Sequence, residues 1–260
     1  MKCKICKNYS PQYGEGLILN KYHVKFYKCN DCGFIQTESP FWLNESYEEA
    51  ITKSDVGLIS RNIEMAEFTK LFIISSFNPK DRFVDYGGGF GIFARIMRDW
   101  GFDYYRYDPY CKNLFSDIFD ANKKSKYGLL SAWEVFEHLI NPLESIEDML
   151  SFSQNILFST KLLPVIPKTI GDWWYYGLDH GQHISFYSIK TIEKIAQKFN
   201  LRFHFSKNSI HFIGKDELNK LIVNILISKR LKIFRKILFK RQLNSLLEKD
   251  YFLVTGKNLL

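Results

Sequence analysis

From Arg82 to Ser159, short apolar runs alternate with stretches whose apolar residues recur every three or four positions. The pattern predicts strand 82–86, helix 90–100, strand 103–107, helix 112–120, strand 127–133, helix 142–152 and strand 154–160. Strands and helices in that alternation build a mostly parallel sheet covered on both faces, an α/β fold with right-handed crossovers. Upstream, Met65, Phe68, Leu71, Phe72 and Phe77 mark the apolar face of a helix that Asn62 can cap and Pro79 ends. Downstream, the pattern predicts a helix over 188–200, strands over 201–206 and 209–214, and a helical insert at about 216–249. A last strand, 251–255, is expected to rejoin the sheet edge.

The strongest punctuation is Val84-Asp85-Tyr86-Gly87-Gly88-Gly89-Phe90-Gly91, a strand end running into a glycine-rich turn and then a helix. Such glycines let the backbone turn sharply and bring main-chain N–H groups toward a ligand at the strand's carboxyl end. An ordinary glycine-rich turn has the same composition, but here the next strand ends in Asp108. At roughly 20 residues beyond the turn, a carboxylate can accept hydrogen bonds from a ribose diol. The expected ligand therefore contains a nucleoside.

Composition adds a second centre. The chain has 260 residues, enough for one substantial α/β domain and a small accessory module. Four of its five cysteines form two CxxC pairs, Cys3/Cys6 and Cys29/Cys32, with Gly33 after the second pair. No apolar run reaches membrane-spanning length and the first residues lack the apolar segment of a secretory leader, so a reducing compartment is expected and the pairs are read as metal ligands rather than disulfides. Four thiolates suit one tetrahedral structural Zn²⁺ and leave no open position for catalysis. Redox chemistry would need only one pair. The predicted organisation is a zinc-ribbon-like module over 1–40, a connector and helix over 41–80, and the main domain over 81–260.

Taken together, the motifs resemble class I S-adenosylmethionine-dependent methyltransferases. The resemblance rests on the glycine turn, Asp108-Pro109, Trp133-Glu134-Val-Phe-Glu137-His138-Leu139, and His183-Ile-Ser-Phe-Tyr-Ser188. It covers about residues 80–214, and its last two stretches resemble the branch that modifies bacterial glycans and surface polysaccharides. The paired knuckles ending in Cys32-Gly33-Phe-Ile-Gln36 are similar to the zinc-binding front of deoxysugar C-methyltransferases. Against that group, the chain reads Asp179-His180-Gly-Gln-His183 in place of a His-Glu-His segment and is too short for its third domain. The departures favour oxygen over carbon as the acceptor. A C- or N-methyltransferase acting on a nucleotide-linked sugar is the neighbouring reading.

The resemblance implies S-adenosylmethionine as cofactor, with Asp85, Gly87, Gly88, Gly89, Gly91, Asp108, Pro109, Trp133 and Glu134 at its site. Asp108 would hold the ribose, Asp85 would orient the turn or meet the methionine ammonium, and Glu134 would lie near the sulfonium. Methyl transfer to a hydroxyl needs alignment and a route for the proton. His183, His138 and His180 are the candidates, His183 first. Each has a structural reading too, as a loop anchor or helix cap. Trp173, Trp174, Tyr175 and Tyr176 form either a wall for a sugar ring, a lid, or a small satellite core.

A net charge of +8 is concentrated in the insert, where lysines and arginines cluster from Lys229 to Arg241 and no acid occurs between Leu218 and Leu247. The insert can pack on the domain, meet a second subunit, or lie on an anionic membrane. A nucleic-acid-binding or RNA-methylating role is the third class, and no base-reading motif accompanies the charge. The expected partner is a small glycan precursor, and the expected location is the cytoplasm or the inner face of its membrane.

Overall fold

The computed structural model describes residues 1–47, 56–164, 169–205, 209–215, 218 and 243–259. Two compact units interleave along the chain. The first comprises Met1–Thr52, Glu134–Asp148 and Phe158–Lys215, and the second Lys53–Trp133, Met149–Leu157 and Asp216–Leu260. Six strands follow the order β5-β4-β6-β7-β10-β9, and the boundary between the units falls inside β7. They are β4 (Arg82–Tyr86), β5 (Asp103–Tyr107), β6 (Leu129–Ala132), β7 (Asn155–Ser159), β9 (Arg202–Phe205) and β10 (Ile210–Gly214). β4 pairs in parallel with β5 and β6, while β9 and β10 are antiparallel, so the sheet is of the mostly parallel, Rossmann-like kind.

In the second unit the sequence pattern explains the layering. Every residue of β6 is buried, as are Phe83, Val84 and Asp85 of β4. Strands covered on both faces read as continuous apolar runs. β5 instead alternates, burying Tyr104 and Arg106, as befits the strand at the end of the order. Phe83 stacks on Tyr104 at 5.7 Å, and Phe93 of α3 (Ile92–Asp99) meets Tyr104 edge-on at 5.4 Å. α2 (Leu58–Ser76) buries Ala66, Thr69, Phe72 and Ile73.

In the first unit β1 (Gln12–Ile18), β2 (Tyr22–Lys28), β3 (Ile35–Thr37) and β8 (Ser185–Phe186) form a second sheet in that order. Its core joins Ile18, Val24, Phe26, Ile35 and Phe186 to Trp42, Tyr175 and Tyr176. Trp42 precedes the short α1 (Leu43–Ser46) and donates its indole N–H to the Gly181 carbonyl at 2.8 Å. α4 (Pro142–Phe152) precedes β7, and α5 (Ile189–Lys198) starts at a capping box made by Ser188 and Thr191.

Four expectations need correction. No helix forms over 112–120: the Asn113 side chain bonds the Ser116 amide and carbonyl and Asp120, and Ser116 donates to the Gly91 carbonyl. Side chains of this kind offer the backbone a turn in place of helical bonds. The expected last strand is instead the second half of α6 (Leu247–Thr255), anchored through buried Asp250. Asn62 caps nothing, because α2 starts four residues earlier after Gly57, and its amide donates to the Leu58 carbonyl within the helix. Pro79 does not end the helix either: Phe77 is already extended. The basic insert lies almost wholly outside the described residues, and among those residues no helix is long and apolar enough to cross a membrane.

Candidate functional site

The glycine turn of the second unit is built from the inside. Gly87, Gly89 and Gly91 all have positive φ, the region in which side chains with a Cβ are strained. A Cβ on Gly91 would lie 2.5 Å from the Asn113 amide oxygen, and one on Gly88 would lie 2.8 Å from an Asp85 oxygen. A Cβ on Gly89, by contrast, would meet nothing within 4 Å, which leaves open space above the turn.

The amides are not free for a ligand. Gly87 and Gly88 donate to the Tyr107 carbonyl, Gly91 donates to Gly88, and Gly89 donates to Asp108 Oδ2 at 2.9 Å. A pyrophosphate needs unspent N–H groups at such a turn, and these four are spent. Asp108 also accepts from the Tyr110 and Cys111 amides at 2.9 and 3.0 Å. A carboxylate has about four lone-pair sites, so one remains for a ribose hydroxyl. Pro109 is exposed beside it.

Asp85 lies beneath the turn, 3% exposed, accepting a 2.7 Å bond from Ser131. Burial, then the nearby Asp108 charge, pushes its carboxyl up to about 7 against the pull of the Ser131 bond and Arg106. That placement makes it a support of the turn. Arg106, which sequence reading missed, donates to the Gly89 carbonyl at 2.7 Å and pairs with Asp120 at 3.0 Å. Its position as a buried cation within an alternating strand was the available signal. Trp133, at the end of β6, packs on Phe93 at 5.8 Å and leaves its indole N–H buried without a partner. An acceptor on a bound group would satisfy it. Open space at Gly89, a spare lone pair on Asp108 and this unpaired donor fit an adenosyl cofactor lacking phosphate. When bound, S-adenosylmethionine supplies a methyl group on a sulfonium, already activated for displacement.

In the first unit, Glu134 has a φ of 53° and an exposed side chain. Ser159 accepts from its amide at 2.8 Å and donates to its carboxylate at 2.6 Å, which holds the strained backbone in place. A helical turn at Phe136–His138 follows. Glu137 is fully buried, and its oxygens make no hydrogen bond; the nearby Tyr175 and Thr160 hydroxyls pair with each other at 3.1 Å. Burial, reinforced by the Glu134 charge, pushes the Glu137 carboxyl up to about 8 against the pull of the neighbouring Tyr175 and Thr160 hydroxyls.

The three histidines come together but have different partners. His183 lies 5.0 Å from His138 and 4.7 Å from His180, ring centre to ring centre. Its Nδ1 lies 2.6 Å from the Tyr175 carbonyl, an acceptor, so Nδ1 carries the proton and Nε2 the lone pair. His138 Nδ1 faces the Gln182 carbonyl at 3.1 Å and the Tyr47 hydroxyl at 2.9 Å, which fixes the same tautomer. His180 is the reverse: its Nδ1 accepts from the Gln182 amide at 3.2 Å, and its ring lies over Gly177. Burial lowers all three, holding His138 at about 3 and His183 at about 4, so both are neutral at physiological pH. Of the aromatic quartet, Tyr175 and Tyr176 belong to the core and Trp173 packs against it, whereas Trp174 is 72% exposed.

The four paired cysteines also converge in this unit. Sulfur separations are 3.5 Å for Cys3–Cys32, 3.4 Å for Cys6–Cys29 and 3.7 Å for Cys6–Cys32. A tetrahedron with Zn–S bonds of ~2.3 Å has edges of about 3.8 Å, so the set fits such an ion. The Ile5 and Cys32 amides point at the Cys3 and Cys29 sulfurs, and Gly33 takes the positive φ that closes the second knuckle. Cys111 stands apart, half-buried, its thiol raised by burial.

A glycine turn pinned to an acidic residue on a mostly parallel sheet defines the class of nucleoside-dependent Rossmann-like enzymes. Residues 61–204, more than half of the chain, match the family described as methyltransferase domain, and the chain belongs to that family. It is an S-adenosylmethionine-dependent methyltransferase. Similar solved structures include the plantazolicin methyltransferase BpumL with S-adenosylhomocysteine, at 14% identity, TM-score 0.44, over 73% of this chain and 87% of that one. Magnesium protoporphyrin IX methyltransferase from Synechocystis PCC 6803 is similar at 11% identity, TM-score 0.40, over 67% and 94%. A methyltransferase from Bacillus halodurans C-125 aligns at 10% identity, TM-score 0.42, over 54% and 71%. No curated protein matches.

Proposed function

We propose that the enzyme transfers the methyl group to a hydroxyl of a sugar or another small precursor of a surface glycan. The observation that carries this reading is the setting of Trp174. Its exposed ring lies under the Lys161 ammonium at 5.4 Å and beside Tyr175 at 5.5 Å, and Tyr175 in turn meets His183 at 4.7 Å. An exposed indole suits the C–H face of a sugar, and a neighbouring ammonium suits a phosphate on a nucleotide-linked sugar. The acceptor hydroxyl is then placed at the Nε2 side of His183 and His138, with His180 as a loop anchor. Asp108, Gly89 and Trp133 hold the cofactor, with Asp85 and the remaining glycines shaping the turn.

The test is incubation with S-adenosylmethionine bearing an isotopically labelled methyl group and a panel of free and nucleotide-linked sugars. The expected product carries the label on oxygen, and Trp174→Ala should raise KM about tenfold or more with little change in kcat. His183→Asn should lower kcat by about 10²–10⁴-fold and leave S-adenosylhomocysteine affinity unchanged. Label on carbon or nitrogen, or indifference to both substitutions, contradicts the reading.

A further inference from the structure

Glu137 has no evident structural reason to be where it is. Its side chain is fully buried and neither oxygen makes a hydrogen bond. Burying a carboxyl group without a partner is costly, and a fold tolerates it where something else completes the site. The Tyr175 and Thr160 hydroxyls lie on one side of it, paired with each other, and two imidazoles lie nearby. Ligand atoms from Glu137, His138 and His183 all lie within 4.8 Å of one another. That span is about twice a metal–oxygen or metal–nitrogen bond of ~2.0–2.4 Å, the widest separation one ion can bridge.

The hydrogen bonds behind the rings point the same way. His183 gives Nδ1–H to the Tyr175 carbonyl and His138 gives Nδ1–H to the Gln182 carbonyl, leaving an Nε2 lone pair on each. Metal-ligating histidines are oriented in this manner, by a carbonyl or carboxylate on the far nitrogen. Tyr47 adds a further contact to His138 at 2.9 Å. His180 does not join: its Nδ1 is engaged with the Gln182 amide.

The geometry points to a divalent-cation site formed by Glu137, His138 and His183, distinct from the four-cysteine cluster and taking a first-row transition metal. Two imidazoles and one carboxylate suit manganese, iron, cobalt or zinc better than magnesium or calcium, which prefer all-oxygen sets. Three protein ligands leave coordination positions open. Resting on the O-methyl transfer reading, the ion would bind the acceptor's hydroxyl oxygen there. Coordination makes that hydroxyl more acidic, and its proton passes to solvent water. The oxygen's electron pair then forms the bond to the methyl carbon as the carbon–sulfur bond breaks and sulfur keeps that pair. His183 serves as a ligand in this arrangement, and the ion takes over activation of the hydroxyl.

The experiment is titration of the full-length protein with Mn²⁺, followed by electron paramagnetic resonance. Mn²⁺ prefers oxygen and nitrogen ligands and discriminates against the thiolate cluster. Saturable binding of one Mn²⁺ is expected in wild type, weakened at least ~10-fold by the near-isosteric Glu137→Gln, and by His138→Gln. A variant-free readout covers failure to fold: bound Mn²⁺ should broaden the ring-proton resonances of His138 and His183 far more than those of His23. Absence of saturable binding by wild type overturns the site, as does binding that survives Glu137→Gln without selective broadening. S-adenosylhomocysteine binding measured on the same sample separates the two readings. If it persists while Mn²⁺ is ignored, the cation site falls and methyl transfer stands.

Discussion

Asp85 shows how a single buried carboxyl group leaves a mark on the whole protein. Its folded pKa, about 7, lies above its ordinary 3.8, so between those values the fold holds a proton that the unfolded chain has lost. Stability from this group is therefore full below its ordinary pKa and is lost as pH rises toward and through 7. One such proton is worth about 1.4 kcal/mol per pH unit within that window. Asp85→Asn, whose amide oxygen can still accept the Ser131 bond, should flatten that slope. Urea midpoints for both proteins from pH 5 to 8 check it, and parallel slopes would contradict the assignment. In the sequence Asp85 was legible as part of the turn, but its burial was not, since a strand-end aspartate can equally face a ligand. The histidines divide likewise: their convergence was legible from loop position. Which of their nitrogens carries a proton depends on backbone carbonyls at Tyr175 and Gln182, and no side-chain pattern announces those.

At the scale of elements, α6 shows tertiary context overriding propensity. Tyr251-Phe-Leu-Val-Thr255 is rich in strand-favouring residues, yet it is helical and its apolar side chains are partly exposed. What fixes it is Asp250, 2% exposed, which accepts from Arg98 Nε and Nη2 at 2.7 and 2.8 Å and also pairs with Arg95 at 2.9 Å. Such a buried, bidentate pair need not be a net source of stability, but losing one partner strands the other. Asp250→Ala should cost about 3–5 kcal/mol in chemical denaturation. A change below 1 kcal/mol would mean that Arg98 is satisfied by Asp103 and the Tyr104 carbonyl alone. The six strands of the larger sheet and α4 were legible because their apolar patterns are local, whereas β1, β3 and β8 were not. The absent 112–120 helix was not, because its turns depend on Asn113 reaching Ser116 and Gly91 lying alongside.

For the molecule as a whole, the four-cysteine cluster is tied to more than its own knuckles. The Cys32 carbonyl accepts from Ser188 and Thr191, the residues that cap α5, at 2.7 and 2.8 Å, and Asp31 pairs with Lys190 and Lys194 of the same helix. β3 pairs with β8 close by in sequence to that cap. We propose one structural Zn²⁺ at these thiolates, and removing it should destabilise the first unit rather than the knuckles alone. Metal analysis of protein purified without added metal should return one Zn²⁺ per chain. Cys6→Ser should lower that content together with hydrogen-exchange protection at the start of α5. A metal-free protein with full protection there would refute the structural role. The cysteine spacing made the four-sulfur cluster legible, whereas its link to residues more than 150 positions away was not, because it runs through the Cys32 main-chain carbonyl and an Asp31 side chain that meet their partners only in the fold.

Cofactor binding underlies every other step, and calorimetric titration with S-adenosylhomocysteine tests it most directly. Wild-type protein should bind one equivalent. Asp108→Ala should weaken binding at least about tenfold, because it removes both the pin on the Gly89 amide and the carboxylate left for the ribose. Failure of the folded wild-type protein to bind S-adenosylhomocysteine, or equal affinity in Asp108→Ala, would contradict the account.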